Sequence, residues 1–263
     1  MFNGNMVTEA IPARVFALYK IVASKKDISR GALRGLMEPE EIHEGTSYFS
    51  EILKAAMELK LVDQRDSSII PIVPKEQLKT MEDFRILAIR NLSNWGDFEN
   101  SQFYKCTNAI VNMDEKVYKH SNISDSEMLN YLSEQTGQQI TPPMVRGWRF
   151  WAQFLGFGYI SDMAFLPNAY IFVKNVMYIM GLDKNAEYPM REFMSRFSQY
   201  GKIIMQDSAA SKDLNIALSS ALRELHDNKE IELKYGSDQE HRWILYPSNE
   251  SFNESVASIV YRG

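Results

Sequence analysis

Apolar residues recur along this chain in two alternating rhythms. A three-to-four-residue spacing marks helices, and short stretches of strict alternation follow it. The clearest instance runs from 140 to 165, ITPPMVRGWRFWAQFLGFGYISDMAF. Thr141 can cap a helix, and Pro142 suits its first turn. Met144, Val145, Trp148, Trp151, Ala152 and Leu155 then fall on one face, leaving Arg146, Arg149, Phe150 and Gln153 on the other. Gly156 and Gly158 stop the helix. Tyr159 and Ile160 start a strand, Ser161 and Asp162 turn it, and Ala164 and Phe165 return it.

Similar helix-then-hairpin stretches lie on either side. Ile11 to Ser24 predicts a helix with Val15, Leu18, Tyr19 and Val22 inward. Ser29 can cap a second helix, Arg30 to Met37, packed through Leu33, Leu36 and Met37, and Ser47 a third. Leu61 and Val62 begin a strand, and Ile69 to Val73 return it as an edge because of Pro71 and Pro74. Met81 to Leu92 reads as a linker helix, and Ser101 to Asn112 as another helix. Asp125 can cap Ser126 to Glu134. Leu166 to Met180 is apolar on more than one side and is expected to be buried between modules. Pro189 to Tyr200, a helix capped by Asp213 or Ser211, and the alternating Ile231, Leu233 and Tyr235 make the last instance, with GSDQE as its tip. The tail Val256 to Tyr261 is β-like, suited to a sheet edge of this chain or of a partner.

The order of helices followed by a two-stranded wing is the winged-helix plan. The expected fold is therefore mainly α with small β-hairpins (α+β), as two to three tandem winged-helix modules joined by linker helices. The modules span 1–76, 121–186 and 187–263, with linker helices over 77–120.

Composition narrows the function more than the fold. Of the residues, 45% are apolar and 24% charged, the content of a folded globular chain. No apolar run approaches the roughly 18 residues of a membrane span, and MFNGNMVTEA lacks the pattern of a signal peptide. A single cysteine, Cys106, fits a reducing, cytoplasmic setting. The net charge of −5 argues against strong autonomous duplex binding. Residues 141 to 186 are the locally basic exception, with Arg146, Arg149, Lys174 and Lys184 against Asp162 and Asp183.

Candidate chemistry is sparse. The chain has no P-loop and no H-E-x-x-H, and its four histidines have no zinc-binding spacing. His226 falls at a helix C-terminus, where it suits the helix dipole. No catalytic residue, metal ligand or cofactor is expected. Glu232-Leu233-Lys234 matches part of a metal-dependent nuclease strand, but alternation turns Glu232 and Lys234 to solvent. The better candidates contact a nucleic acid or a partner: Arg146, Arg149 and Gln153 on one helix face, with Arg30 and Arg34 as a smaller cluster.

Three segments carry a resemblance: IPARVFALYKIV…ISRGALRGLM, VRGWRFWAQFLGFGYI…FLPNAYIF, and LNIALSSALRELHDNKEIELKYGSDQEHRWIL. They resemble the DpdG-type proteins of bacterial defence islands. The resemblance implies a non-catalytic, cytoplasmic subunit of an anti-phage or anti-plasmid complex, mediating assembly and DNA engagement. Its partners would be other subunits, such as an SMC-like or helicase-like ATPase and a nuclease, with DNA but no membrane. In architecture the chain is also similar to the winged-helix subunits on the kleisin bridges of SMC complexes, which implies a protein–protein adaptor. A winged-helix transcriptional regulator is a further alternative.

Overall fold

A computed structural model describes residues 1–2, 4–39, 41, 48–205, 212–235, 242–248 and 255–263. Ser47, Ser211, the GSDQE tip, His43 and His241 lie outside the described residues. The fold is mainly helical, with small antiparallel sheets of two or three strands. The chain forms two compact units, Met1–Phe103 with Thr141–Phe154, and Tyr104–Ile140 with Leu155–Gly263. The stretch read from sequence as a middle module thus gives its long helix to the first unit and its hairpin to the second.

The first unit begins with α1 (Pro12–Lys25), β1 (Ile28–Ser29), α2 (Arg30–Met37) and α3 (Phe49–Glu58). It continues through β2 (Val62–Arg65), β3 (Ser68–Pro71) and α4 (Met81–Ser93). Proline opens α1, which buries Val15, Leu18, Tyr19 and Val22 and packs on α3. The Ser29 hydroxyl caps α2 by accepting the Ala32 N–H at 3.2 Å. Of the three residues expected to pack α2, Leu33 is buried but Leu36 is 54% exposed. Its eight residues give two turns, enough for one narrow contact stripe.

The strand order is β1-β3-β2. The returning strand β3 is therefore central, not an edge. Ile28 and Ser29 pair with Ile69 and Ser68 on one side of it, while Val62 to Arg65 pair on the other. Pro71 lies beyond the β1 pairing, so its missing N–H removes no bond from that ladder. At α4, Thr80 and Asp83 form a reciprocal capping box.

Next along the chain come α5 (Gln102–Val111), α6 (Ser126–Thr136) and α7 (Pro142–Leu155). Asp125 caps α6 through the Met128 N–H at 2.8 Å, as expected. In the second unit, β4 (Tyr159–Ser161) and β5 (Ala164–Leu166) form the expected hairpin. Asp162 takes the positive φ of 55° that the turn requires. They are followed by α8 (Tyr170–Met180), β6 (Glu187–Pro189), α9 (Met190–Gly201) and α10 (Ile216–Asp227). The unit closes with β7 (Ile231–Lys234), β8 (Trp243–Ile244), β9 (Ser255–Val256) and β10 (Ser258–Tyr261).

Helix α8 packs within this unit on α9 and α10, which accounts for its apolar character on more than one side. The β-like tail pairs internally: β10 is the middle strand of β6-β10-β7. Asn215, not Asp213, caps α10, accepting the Leu218 N–H at 2.9 Å. Tyr235 falls past the end of β7 and is 56% exposed.

Candidate functional site

The core of the first unit explains how α7 is held. Phe2 meets Phe103 and Trp151 edge-on at centroid distances of 5.0 and 4.7 Å. Phe84 of α4 meets Trp151 at 6.1 Å and Phe154 at 5.0 Å. Each such pair contributes about 0.5–1.5 kcal/mol beyond the area it buries. The Trp151 indole N–H donates to the Ala10 carbonyl at 2.7 Å, so the buried ring leaves no unpaired donor. One turn earlier, a Cβ on Gly147 would stand 2.5 Å from the Met6 carbonyl oxygen; glycine lets the Met6–Val7 backbone lie directly against the helix. At the far end, Arg85 donates from Nε to the Phe154 carbonyl at 2.6 Å, satisfying a group in the last turn of α7. Burial lowers the Arg85 pKa from its ordinary value, with Glu82 opposing.

Fixed on this side, α7 turns Arg146, Arg149, Phe150 and Gln153 outward at helical spacing. Arg146 and Gln153 are exposed, and Arg149 and Phe150 half-buried. The Arg149 guanidinium lies 4.9 Å over the Phe150 ring, a stacking that restricts a long side chain. Residues 141 to 154 contain two arginines and no acid. The stripe is therefore a cationic, amide-bearing face on a rigid helix, able to pair with phosphate oxygens or hydrogen-bond base edges.

The other two candidates sit on α2 and are engaged with α3. Arg30 lies 5.9 Å over the Phe49 ring, and its backbone N–H donates to the Ser67 carbonyl at 3.1 Å. Arg34 pairs with Glu38 at 3.7 Å, while Glu38 accepts the N–H groups of Tyr48 and Phe49 at the start of α3. That carboxylate offsets the positive potential of Arg34, whose side chain is still 63% exposed.

The remaining sequence candidates take structural positions. Glu232 and Lys234 share the half-exposed face of β7, paired with Arg262 and with Glu187 at 2.6 Å. Among the described residues no group of three or more His, Cys, Asp or Glu side chains is placed to hold a metal. His120 contacts the Asp125 carboxylate at 3.0 Å. Burial pushes the Asp125 carboxyl up, but the Met128 N–H and His120 together hold it below its ordinary value. His226, at the end of α10, accepts the Leu233 N–H on Nδ1 at 3.2 Å. Cys106 is buried, and burial pushes its thiol up to about 12, which suppresses the thiolate. Among the described residues, no helix is long and apolar enough to cross a membrane.

Helical spacing alone reveals the outward stripe, but it gives no sign of Gly147, Ala10 or Arg85. Each acts across a long separation in the chain, and glycine or arginine in a helix carries no local sign of a distant partner. No curated protein and no solved structure matches the chain. The family model described as DpdG-like matches residues 5–239, nearly the whole length, and the chain belongs to that family.

Proposed function

We propose that this chain is a non-catalytic subunit of a DNA-modification or defence system, engaging nucleic acid through α7. The family supports the setting. The observation that carries the contact is the outward stripe Arg146, Arg149 and Gln153, on a helix pinned by Trp151 and Gly147 and free of acidic residues. In this reading the order α1-β1-α2-α3-β2-β3, with strand order β1-β3-β2, is a winged-helix module. ATP-driven motors and nucleases belong to partner subunits. The test is duplex affinity across a salt series. The wild-type chain should bind with a steep salt dependence, and Arg146→Ala/Arg149→Ala should flatten the slope of log K against log salt by roughly 2. Equal affinity and slope in the double variant would remove the assignment.

A second reading, a protein–protein adaptor, draws on charge. The first unit holds equal numbers of basic and acidic residues, so the whole net charge of −5 lies in the second. An acidic surface suits docking to protein better than to a polyanion. Co-purification of an SMC-like or helicase-like ATPase that survives nuclease treatment would favour it.

A further inference from the structure

From Gln135 to Ser161 the chain carries no acidic residue, and α7 lies within that stretch. The outward residues of α7 are not all polar. Phe150 stands in the middle of them, four positions after Arg146 and three before Gln153, so the three share one face of the helix. On the inner side the aromatic rings are packed together: Trp151 meets Phe2 and Phe84, and Phe154 meets Phe84. Phe150 is left out of that cluster. Among the described residues no other ring stacks on it, and its aromatic contact is the Arg149 guanidinium, 4.9 Å from the ring centroid. Arg149 is half-buried and makes a further contact, so its part here is to brace the ring. Arg146 and Gln153 are exposed, and neither side chain makes a hydrogen bond or ion pair among the described residues.

Charge and ring together select the ligand. An acid-free, cationic face complements a polyanion. Within a duplex each base is stacked between its neighbours and its pairing edge is occupied, so an aromatic ring can meet only groove edges and thymine methyls. An unpaired base offers a free π-face and a free pairing edge. The α7 face holds a group for each feature: a ring to stack on, an amide that both donates and accepts, and a guanidinium for the phosphate. Gly147 and Trp151 hold the helix in place and so fix the spacing of these groups. On the reading that α7 engages nucleic acid, we propose that Phe150 stacks on an unpaired base, with Gln153 on the base edge and Arg146 on the adjoining phosphate. The base belongs either to a free single strand or to a single-stranded gap in a duplex.

The test uses the full chain, with fluorescence anisotropy at fixed salt and ultraviolet cross-linking. The probes are a fully paired duplex, the same duplex with a central single-stranded gap, and the corresponding single strand. The gapped duplex, the single strand or both should bind roughly tenfold more tightly than the paired duplex. Cross-linking should attach an unpaired thymine to Phe150. Phe150→Leu, which removes the ring and keeps apolar bulk, should erase the preference, and Phe150→Tyr, which keeps the ring, should retain it. Arg146→Ala should weaken all three probes. Tight binding of the gapped duplex alone would assign a gap, and equal binding of gap and single strand any unpaired stretch. Equal affinity for all three probes, or a preference that persists in Phe150→Leu, would overturn the stacking and leave the α7 contact standing. Binding of none of the probes would overturn both.

Discussion

The two three-stranded sheets sit in the same order of elements but differ in how their third helix is covered. In the first unit α1-β1-α2-α3-β2-β3 gives strands ordered β1-β3-β2. In the second, α8-β6-α9-α10-β7-β10 gives β6-β10-β7, with β8 and β9 inserted before the last strand. The third helices differ most. Helix α3 buries one face, through Phe49, Ile52, Leu53, Ala55 and Ala56, and leaves Ser50, Lys54 and Met57 exposed. Helix α10 buries Ile216, Ala217, Leu218, Ser219, Ala221, Leu222, Arg223 and Leu225, on nearly every side. Its second covering is polar and specific. Asp114 accepts the Ile216 N–H at 2.8 Å, Asn112 meets Asn215 at 2.6 Å, and the Tyr246 N–H donates to the Ser219 hydroxyl at 2.8 Å. A helix covered in this way cannot enter a DNA groove. One order of elements thus yields a helix with one exposed face in one unit and a helix buried on nearly every side in the other.

The two helix faces should respond most differently to substitution. Leu222→Ala in α10 should cost about 2–5 kcal/mol in urea unfolding, by loss of burial plus a cavity. Met57→Ala on the outer face of α3 should stay within about 0.5 kcal/mol. Comparable losses would mean that α3 is covered too. Next comes the cap. Asn215→Ala removes the bond to the Leu218 N–H and those to Asn112 and the Ile204 carbonyl, and should cost about 1–3 kcal/mol.

The smallest effect separates the units by pH. In the first, the backbone and side chain of Thr80 hold the Asp83 carboxyl below its ordinary value, so its contribution is present above the unfolded pKa and lost as pH falls. In the second, burial raises the Asp114 carboxyl, so its contribution is present at low pH and lost as pH rises through the folded value. Melting followed across the acid range should show Asp83→Asn losing stability relative to the parent near neutrality. Asp114→Asn should instead gain there, with each difference vanishing at low pH. Differences of the same sign would refute the contrast.

Local signals are legible in the sequence. Ser29 and Asp125 cap the helices that follow them because a cap needs only its next few residues. The hairpin at 159–166 follows from alternation, although Ser161, expected in the turn, pairs with Ala164 as a strand residue and leaves Asp162 and Met163 to turn. The stripe Arg146, Arg149 and Gln153 follows from helical spacing alone. Distant pairings are not legible in the same way. Two residues, Ile28 and Ser29, carry too little pattern to announce a strand, yet they make β3 central. Asn215 displaces Asp213 as the cap because its side chain also answers Asn112 and Ile204. Leu36 and Tyr235 fit the local rhythm, but both side chains stay largely in solvent, because rhythm alone does not supply a packed neighbour.

The most direct test of the account is to map the DNA contact itself. A duplex bearing photoreactive thymine analogues would be cross-linked to the full chain, and the attached peptides identified by mass spectrometry. Adducts are expected within residues 141 to 154, lost in Arg146→Ala/Arg149→Ala, and none on α10. Adducts confined to the second unit, or adducts that survive the double variant unchanged, would contradict it.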